Sequence, residues 1–574
     1  MYSRSCLYSN RRMVAPLAFL TVLSSALVGQ TFRGAIAGSV VDTSGAAVPD
    51  AQVKIVHKGT ALTRIQNTPS VGEFSFPELP TGIYTTTVTK EGFQPFKQDI
   101  EVAVGKISSL PVTLSVAAQS QTVEVQAAAA TLETSEAALN AVVSTRPVQE
   151  LPLNGRDFRQ LLQLTPGFNA GTSMNGSRNT QNNYQLDGVD NNDLWGNEVS
   201  VNQTQVGGTP AVLLPVDAID QFNQQAGGNA DFGRDAGSMV NVVIKSGTNE
   251  LHGSAYYFNR NEALASHNPF APPNQAKPKL RNENLGFSLG GPILKNKTFF
   301  FLTYEKQRLT AGQSLQATVP SSAWIAQATT VLTKYGVQVN PVMITVFNAL
   351  WPSSIQDAPA ALPNFFSPAK ATWRNNDGII KFDHAFNDRH SFFAHVFVGD
   401  GEDTAFGTGT VGGTAGNVST GSVYPNFFQT VPARQWSVAG VWNAVFTPRL
   451  VNQLLLGVNY LFASFSDVNS SYNMPSLGFN TGVTNPADFG APKIDITGFT
   501  NGGVGPTAPI GRIDTTGHLT DSLSYQMGSH ALKFGGEIRK QRLDAFYKQG
   551  SRGQFTFDGT AGPWASDKIG RAHV

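Results

Sequence analysis

DFGRDAGSMVNVVIKSGTN, residues 231–249, divides the chain into two parts of different character. Before it the chain is rich in Asn, Gln and Gly with short helical patterns, and after it alternating patterns typical of strands follow one another. Within it, Met239, Asn241, Val243 and Lys245 share one face of an extended segment, and Val240, Val242 and Ile244 share the other. Residues 246–249 then predict a turn and residues 251–260 the next strand. We therefore expect a boundary here between a globular domain and a sheet-rich region.

Composition favours an all-β chain. The 574 residues indicate two to four domains, and 41 Lys and Arg against 40 Asp and Glu argue against a nucleic-acid-binding protein. Only 14% of residues are charged, Gly occurs 56 times, and no long apolar run occurs in the body of the chain. Transmembrane β-barrels have this profile because only every second residue meets lipid. Secreted β-sandwich arrays share it, so composition alone leaves both open.

The N-terminus predicts export. Arg11 and Arg12 precede an apolar run at residues 13–28, which small and polar residues close. This order is typical of a secretory signal peptide, placed at residues 1–30. A membrane anchor is the alternative, but the run is short for a spanning helix. The single cysteine, Cys6, excludes a disulfide framework.

Short β-type runs between residues 34 and 114, separated by turns, predict a small β-sandwich. The motifs are residues 38–42, 45–51, 72–76 and 79–82 and Tyr84. They resemble a carboxypeptidase-regulatory-like domain, which we place at residues 31–115. His57 is the only histidine in this segment, so no zinc-ligand spacing is present. The resemblance therefore implies a folding or docking module and not a peptidase.

Residues 116–130 are small and polar and predict a linker. Within them Thr122, Val123, Glu124 and Val125 resemble the TonB box, the segment by which TonB-dependent receptors engage the energising protein TonB. An extended β-prone segment of this kind can add as an edge strand to a partner sheet. The alternative is an ordinary linker strand.

Residues 131–249 predict a small mixed α/β domain. Phe158, Leu161 and Leu162 lie at helical spacing, and residues 165–167 end that helix. Further motifs lie at residues 147–158, 175–178, 183–190 and 216–222. Together with residues 231–249 they resemble the plug of TonB-dependent receptors, in particular the Oar-like branch. The match runs almost continuously from about Thr122 to Phe301.

Five Asx residues of this domain could provide oxygen ligands for a cation: Asp187, Asp190, Asn191, Asn192 and Asp193. Their spacing does not fit a calcium loop of the helix–loop–helix type. Asx turns that bond their own backbone explain them more simply, so we predict no metal site.

Residues 250–568 predict the N-terminal part of a large antiparallel transmembrane β-barrel. Strand pairs are expected at residues 285–291 with 298–307, within 382–398, and at 436–446 with 454–462. Apolar residues alternate along these strands of about ten residues, which matches a tilted membrane strand. Soluble sandwiches usually have shorter strands. The long connections at residues 263–280, 401–426 and 467–509 are expected at the outer face, where ligand is captured.

Catalytic patterns are not found. His384, His390 and His395 lie close in sequence, but side chains across a hairpin need not converge. No nucleophile elbow, phosphate loop or paired His–Glu motif occurs. We expect neither an enzyme nor a cofactor.

A plugged barrel of this family needs about 22 strands, and residues from 250 onward provide roughly half of them. We therefore expect a fragment. Residues 569–574 can be back-translated into a common sequencing-library adapter, so we expect a foreign tail there.

The resemblance implies a receptor in the outer membrane of a Gram-negative bacterium, embedded in lipid. Its partners would be periplasmic TonB with the inner-membrane energising complex, and a ligand that is a carbohydrate, a peptide or a metal chelate. The alternatives are a surface adhesion barrel without active transport and a secreted array of sandwiches.

Overall fold

The computed structural model describes residues 33–116, 123–124, 139–169, 173–203, 210–226, 233–235, 237–266, 277–351, 363–405, 424–469, 472–500, 502–503, 509–527, 530–548 and 550–559. The expected signal peptide at 1–30 and the expected foreign tail at 569–574 lie outside these residues. Thr122 and Val125 also lie outside them.

The N-terminal part is a β-sandwich, as predicted. Its strands are β1 Gly34–Asp42, β2 Gln52–His57, β3 Thr63–Asn67, β4 Glu73–Leu79, β5 Gly82–Thr89, β6 Phe96–Val102, β7 Ile107–Ser109, β8 Val112–Leu114 and β9 Val123–Glu124. One sheet has the order β4-β1-β7 with β8 also paired to β1, and the other has the order β3-β2-β5-β6-β9. Ile36, Val53 and Tyr84 are fully buried between the sheets because alternate residues of each strand face inward.

Residues 100–114 do not form one continuous strand. They divide into the end of β6, then β7 and β8, with a turn in which Gly105 has a φ of 63°. A glycine adopts this left-handed conformation without a steric penalty, so the chain can leave one sheet and enter the other.

A mixed domain follows, which we call the plug domain. Its elements are β10 Leu139–Val143, α1 Thr145–Glu150, the 3-10 helices Asn154–Arg156 and Phe158–Leu164, β11 Phe168–Asn169, β12 Ser173–Met174, the 3-10 helix Asn179–Gln181, β13 Asn183–Leu186, β14 Val189–Asp190, the 3-10 helix Val216–Ala218, β15 Ile219–Ala226 and β16 Ser238–Ile244. The sheet order is β10-β15-β16-β13-β14. Strand β16 is central and every one of its residues is buried. Both of its faces are therefore covered, which accounts for its nearly continuous apolar sequence.

The predicted helix at Phe158 is a 3-10 helix. Phe158, Leu161 and Leu162 are buried as expected, and the Asp157 side chain caps the helix by accepting a hydrogen bond from the backbone N of Arg159 at 3.0 Å.

The remaining elements are β17 His252–Asn261, β18 Leu280–Leu294, β19 Thr298–Ala317, α2 Ser322–Lys334, α3 Pro341–Leu350, β20 Phe365–Ala385, β21 His390–Ala405, β22 Gln429–Thr447, β23 Leu450–Asp467, β24 Lys493–Ile496, β25 Gly502–Gly503, β26 Ile510–Met527, β27 His530–Tyr547 and β28 Gln554–Phe557. Nine of them form one antiparallel sheet in the order β17-β18-β19-β20-β21-β22-β23-β26-β27. Within the described residues the sheet is open, with β17 and β27 at its edges. All but β17 are longer than the ten residues expected, and β20 has 21.

The outward face of this sheet carries the predicted apolar band. Trp436, Val438 and Trp442 are exposed, whereas Gln435 and Ser437, which precede Trp436 and Val438, are buried. Leu454, Leu456 and Val458 of the next strand alternate in the same way. An apolar exterior around a polar interior is the arrangement of a transmembrane barrel wall.

A charge in the middle of this band should destabilise the barrel in lipid. We expect Leu456→Arg to lower the free energy of unfolding in lipid vesicles by about 2–4 kcal/mol, because Leu456 is 57% exposed on the lipid-facing side. Thr372→Arg is the control, since Thr372 is also exposed but lies beyond the band, in register with Thr404. It should change the unfolding energy by about 0.5 kcal/mol or less. Equal losses in urea titrations of the two variants would contradict a lipid-facing band.

The two ends of the sheet differ. Short turns at residues 295–297, 386–389 and 448–449 join strands at one end, which corresponds to the periplasmic end of such barrels. At the other end, long connections contain α2, α3 and the small sheet β25-β24-β28. Their apolar side chains form a common cluster, which we call the outer cap: Ala317, Val319, Val346, Phe347, Leu350, Trp351, Tyr424, Phe427, Met474, Ala491, Ile494 and Ile496. Among the described residues, no helix is long and apolar enough to cross a lipid bilayer.

Candidate functional site at the plug–barrel contact

The hairpin that joins β13 to β14 carries the central carboxylate of the site. Its two loop residues, Asp187 and Gly188, have φ values of 47° and 85°. Two successive positive φ values are those of a type I′ turn, for which Asp-Gly is a favoured pair. The turn carries Asp187 to the inner face of the barrel sheet.

Asp187 is fully buried and is held by two barrel strands. Its carboxylate accepts a hydrogen bond from Nδ1 of His395 at 2.8 Å, lies 3.1 Å from Nζ of Lys381, and accepts from the backbone N of Ile244 at 3.1 Å. Burial would raise the pKa of Asp187, but the charge of Lys381 and the hydrogen bond from His395 outweigh it, so the pKa is lowered. The group is therefore a charged carboxylate paired with a cation from the barrel.

Two further carboxylates of the same segment also meet barrel cations. Asp190 pairs with Arg234 of the plug domain and lies 3.4 Å from Nη1 of Arg539 on β27. Asp193 lies 3.2 Å from Nη1 of Arg512 on β26. Three carboxylates of one plug segment thus have positively charged partners on three or more different strands.

Asp193 also has the local role that its sequence context predicted. It accepts hydrogen bonds from the backbone N of Trp195 at 2.8 Å and of Gly196 at 2.7 Å. The Asx-turn interpretation is confirmed for this residue. No group of three or more His, Cys, Asp or Glu side chains that could hold a metal ion occurs within the described ranges.

A second contact centres on Arg156. Its Nε donates to Oε1 of Glu305 on β19 at 2.9 Å and its Nη2 donates to Oδ2 of Asp217 at 2.7 Å. The guanidinium also lies 4.6 Å from the ring centroid of Tyr256 and 4.9 Å from that of Phe258, both on β17. Ion pairing and cation–π contact together fix the orientation of this arginine.

Glycines allow the plug domain to approach the barrel backbone. A Cβ atom at Gly401 would overlap the backbone oxygen of Ala211, and one at Gly457 would overlap the side chain of Val189. Beside Gly401, Nδ2 of Asn375 donates to the backbone oxygen of Pro210 at 3.3 Å. The inner face of the barrel sheet is therefore complementary in shape to the plug domain at Ala211 and Val189.

The four residues predicted as a TonB box do not take part in the plug–barrel contact described above. Val123 and Glu124 form β9, which pairs in parallel with Phe96 and Lys97 of β6, whereas Thr122 and Val125 lie outside the described residues. The TonB-box assignment therefore stays a prediction.

The three histidines do not converge. Nδ1 of His384 lies 2.9 Å from Oγ1 of Thr298, His390 accepts from Nε1 of Trp442 at 3.3 Å, and only His395 reaches the plug domain.

Three barrel cations that contact the plug domain were missed from sequence: Lys381, Arg512 and Arg539. The available signal was a charged residue on the polar face of an alternating strand, as with Arg539 beside Ile538. Which plug residue each one meets depends on the tertiary structure.

Two family models match the chain. The outer membrane beta barrel domain matches residues 243–568, more than half of the chain, and the carboxypeptidase regulatory-like domain matches residues 35–115. A curated relative, the TonB-dependent transporter Oar of Myxococcus xanthus, is 29% identical over 290 residues, which are 46% of this chain and 26% of that protein. The chain therefore matches about a quarter of the length of that relative.

Solved structures that resemble part of the chain include two bacterial receptors. A mutant of the ferric enterobactin receptor PfeA of Pseudomonas aeruginosa is 15% identical, with 71% of this chain and 49% of that chain covered and a TM-score of 0.40. The siderophore receptor PirA of the same organism is 12% identical, with 71% and 57% covered and a TM-score of 0.32. The curated relative is a transporter and not an enzyme. The resemblance found in the sequence is confirmed by the family matches: the chain belongs to the outer membrane beta barrel domain family, whose members lie in the outer membrane of Gram-negative bacteria.

Proposed function

We propose that the protein is a TonB-dependent receptor that binds a ligand at the outer surface and imports it through a plugged β-barrel. The observation that carries this proposal is the plug–barrel contact, in which Asp187 and Asp193 meet Lys381, His395 and Arg512 of the wall. The similarity to the transporter Oar supports the same function.

The plug–barrel contact is compatible with a plug domain that moves. A buried ion pair contributes little net stability compared with apolar packing, yet separating its partners is costly. The plug domain is thus held firmly while its charges are paired, and it needs an external input of work to shift. Such a gate has two states, closed at rest and open when force is applied.

The force would come from periplasmic TonB and its inner-membrane energising complex. Their attachment point is proposed at Thr122, Val123, Glu124 and Val125, just ahead of the plug domain. The described pair Val123–Glu124 already forms an edge strand on β6, which supports its capacity for strand addition.

Ligand capture is assigned to the long connections at the outer end of the sheet. They carry the outer cap, whose apolar cluster includes Phe347, Trp351 and Tyr424. Loops on a rigid scaffold commonly determine specificity. The ligand classes proposed are metal chelates, carbohydrates and peptides.

Deleting residues 122–125 should abolish uptake without abolishing binding. Cells producing the protein would be given a labelled ferric catecholate, a labelled maltooligosaccharide and a fluorescent peptide, and surface binding and accumulation would be measured separately. We expect at least a tenfold loss of accumulation for whichever probe is taken up, because the energising complex loses its attachment point.

The matched control is an equal deletion of residues 127–130 in the same linker, which should leave accumulation unchanged. If the deletion of 122–125 also leaves accumulation unchanged, energised transport is contradicted. A barrel that binds the probes but never accumulates them would instead be an adhesion protein.

A further inference from the structure

We propose that the N-terminal β-sandwich is a second closure of the barrel, which covers its periplasmic mouth and swings away when cargo passes. This assigns a role to the domain for which the sequence resemblance implied folding or docking. The closure of the mouth does not depend on the proposed function. The movement of the domain rests on it.

The sandwich contacts the short-turn end of the sheet at widely separated points. The backbone oxygen of Gly59 accepts a hydrogen bond from the backbone N of Asn249, just before β17, at 2.8 Å. On the other side of the domain, Pro77 lines a cavity of about 220 Å³ together with Arg389 and Pro448, which belong to two different turns of the barrel. The domain therefore extends across the mouth.

Glu78, next to the last residue of β4, reaches towards the inner face of the barrel sheet. It has a φ of 55° and is only 4% exposed. Its Oε2 accepts from Nε2 of Gln453 on β23 at 3.1 Å, and its Oε1 lies 3.5 Å from Nζ of Lys533 on β27. Both partners are on the polar face of their strands. A non-glycine residue in this strained conformation indicates that the surroundings hold it there.

The sandwich also contacts the plug domain directly. Oγ1 of Thr81 donates to Oδ2 of Asp220 at 2.8 Å, and the backbone N of Val104 donates to Oε1 of Gln221 at 3.1 Å. Asp220 and Gln221 begin β15, which neighbours the central strand β16. The sandwich therefore lies directly beneath the plug domain.

The interface of the sandwich with the plug domain and the barrel has the properties of an interface between domains that separate. Thr81 and Asp220, which join the sandwich to the plug domain, line a cavity of about 500 Å³ together with parts of the barrel. Its other lining residues include His57, Lys245 and Asp383. Permanent interfaces are close-packed and more apolar, whereas polar, loosely packed contacts are typical of domains that move.

The connecting chain is long enough for this movement. Val123 and Glu124 pair with β6 of the sandwich, so residues 125–138 join it to the plug domain, and a chain of that length spans up to roughly 50 Å when extended. A pull on residues 122–125 acts on the sandwich and the plug domain together, because these residues lie between the two.

A disulfide across the interface tests the movement. The variant combines Thr81→Cys with Asp220→Cys in a Cys6→Ser background, and Thr81→Cys alone is the control. Under mild oxidation the pair should cross-link. Binding of the probes of the deletion experiment should then be unchanged, accumulation should fall at least tenfold, and a reductant should restore it. A folded protein that does not cross-link, or equal accumulation before and after reduction, would overturn the proposal.

Labelling tests the closure without any transport. Ser391 lines the 500 Å³ cavity. The Ser391→Cys variant, in outer-membrane fragments, is treated with a membrane-impermeant maleimide, and the rate of cysteine labelling is measured. Adding Glu78→Ala should raise the labelling rate about tenfold, because loss of its charge-assisted contacts loosens the domain. Glu101→Ala, on the exposed side of β6, should not raise it.

Equal labelling with and without Glu78→Ala would show that the sandwich does not cover the mouth. Should the unmodified protein accumulate none of the probes, the proposed function fails, and the labelling result alone decides on the closure.

Discussion

Replacing Asp187 with asparagine is expected to lower the free energy of unfolding of the plug domain by about 3–5 kcal/mol. The variant leaves Lys381, whose side chain is 5% exposed, as a buried cation beside a neutral amide. His395 also loses its charged acceptor. The measurement is the hydrogen exchange of the β16 amides in detergent micelles, since every residue of that strand is buried.

Asp99→Asn is the matched control for this substitution. Asp99 pairs with Lys58, but the two side chains are 47% and 53% exposed. An ion pair in such an exposed position contributes about 1 kcal/mol or less. If Asp99→Asn and Asp187→Asn have similar effects on their own domains, the plug–barrel ion pair is not the main attachment of the plug domain.

The effect of Asp187 has a defined pH dependence. Its pKa is lowered in the folded protein, whereas the ordinary value is about 3.9. Its stabilising contribution is therefore complete above about pH 4 and is lost as the pH falls through the lowered value. The difference in stability between the unmodified protein and Asp187→Asn should be constant near neutral pH and should shrink only in stronger acid. A difference that already disappears at pH 6 would contradict a lowered pKa.

Gly401→Ala is expected to displace the plug segment that contains Ala211, because a methyl group at this position overlaps its backbone oxygen. Backbone cannot rotate away as a long side chain can, so we expect a loss of about 1–3 kcal/mol in the stability of the plug–barrel contact. The neighbouring hydrogen bond from Asn375 to Pro210 should be lost as well. Thermal unfolding and the rate of proteolysis within the plug domain measure the effect.

Gly440→Ala provides the comparison. This glycine lies on the outward face of β22, where an added Cβ would be 3.6 Å from Cε2 of Phe392, an ordinary contact. The substitution should be neutral or slightly stabilising, because alanine loses less conformational entropy than glycine. If Gly401→Ala and Gly440→Ala are both as stable as the unmodified protein, the close approach at Gly401 does not contribute to the stability of the plug–barrel contact.

Local patterns predicted the sheet well, because alternation depends only on the residues of one strand. The pair β22 and β23 follows the expected faces, with Trp442 and Leu456 outward. The strand lengths were wrong because the lipid band covers only part of each strand. Beyond the band the outward face is polar, as at Thr372 and Arg374, whereas Ala371 and Trp373 on the inward face are buried and apolar. The apolar residues therefore change faces along the strand, and one alternating pattern does not mark its full length.

The outer cap and the plug–barrel contact were harder to predict. The helices α2 and α3 were not expected, although Ser321 and Asn340 cap them with hydrogen bonds to the backbone N of Trp324 and Val342. Lys381 could be recognised as a polar residue in an apolar strand, but its partner is 194 residues away in sequence. Such pairings depend on the whole tertiary structure and not on a local pattern.

The order of synthesis gives the plug–barrel contact a further consequence. The aspartates of the segment are synthesised long before their barrel partners, since Lys381 follows Asp187 by 194 residues and Arg512 follows Asp193 by 319. Until those strands arrive, the plug domain has a cluster of negative charges without cations from the wall, so its final docking must be a late step of assembly. Correct docking of the plug domain therefore requires that β20 and β26 are already in place.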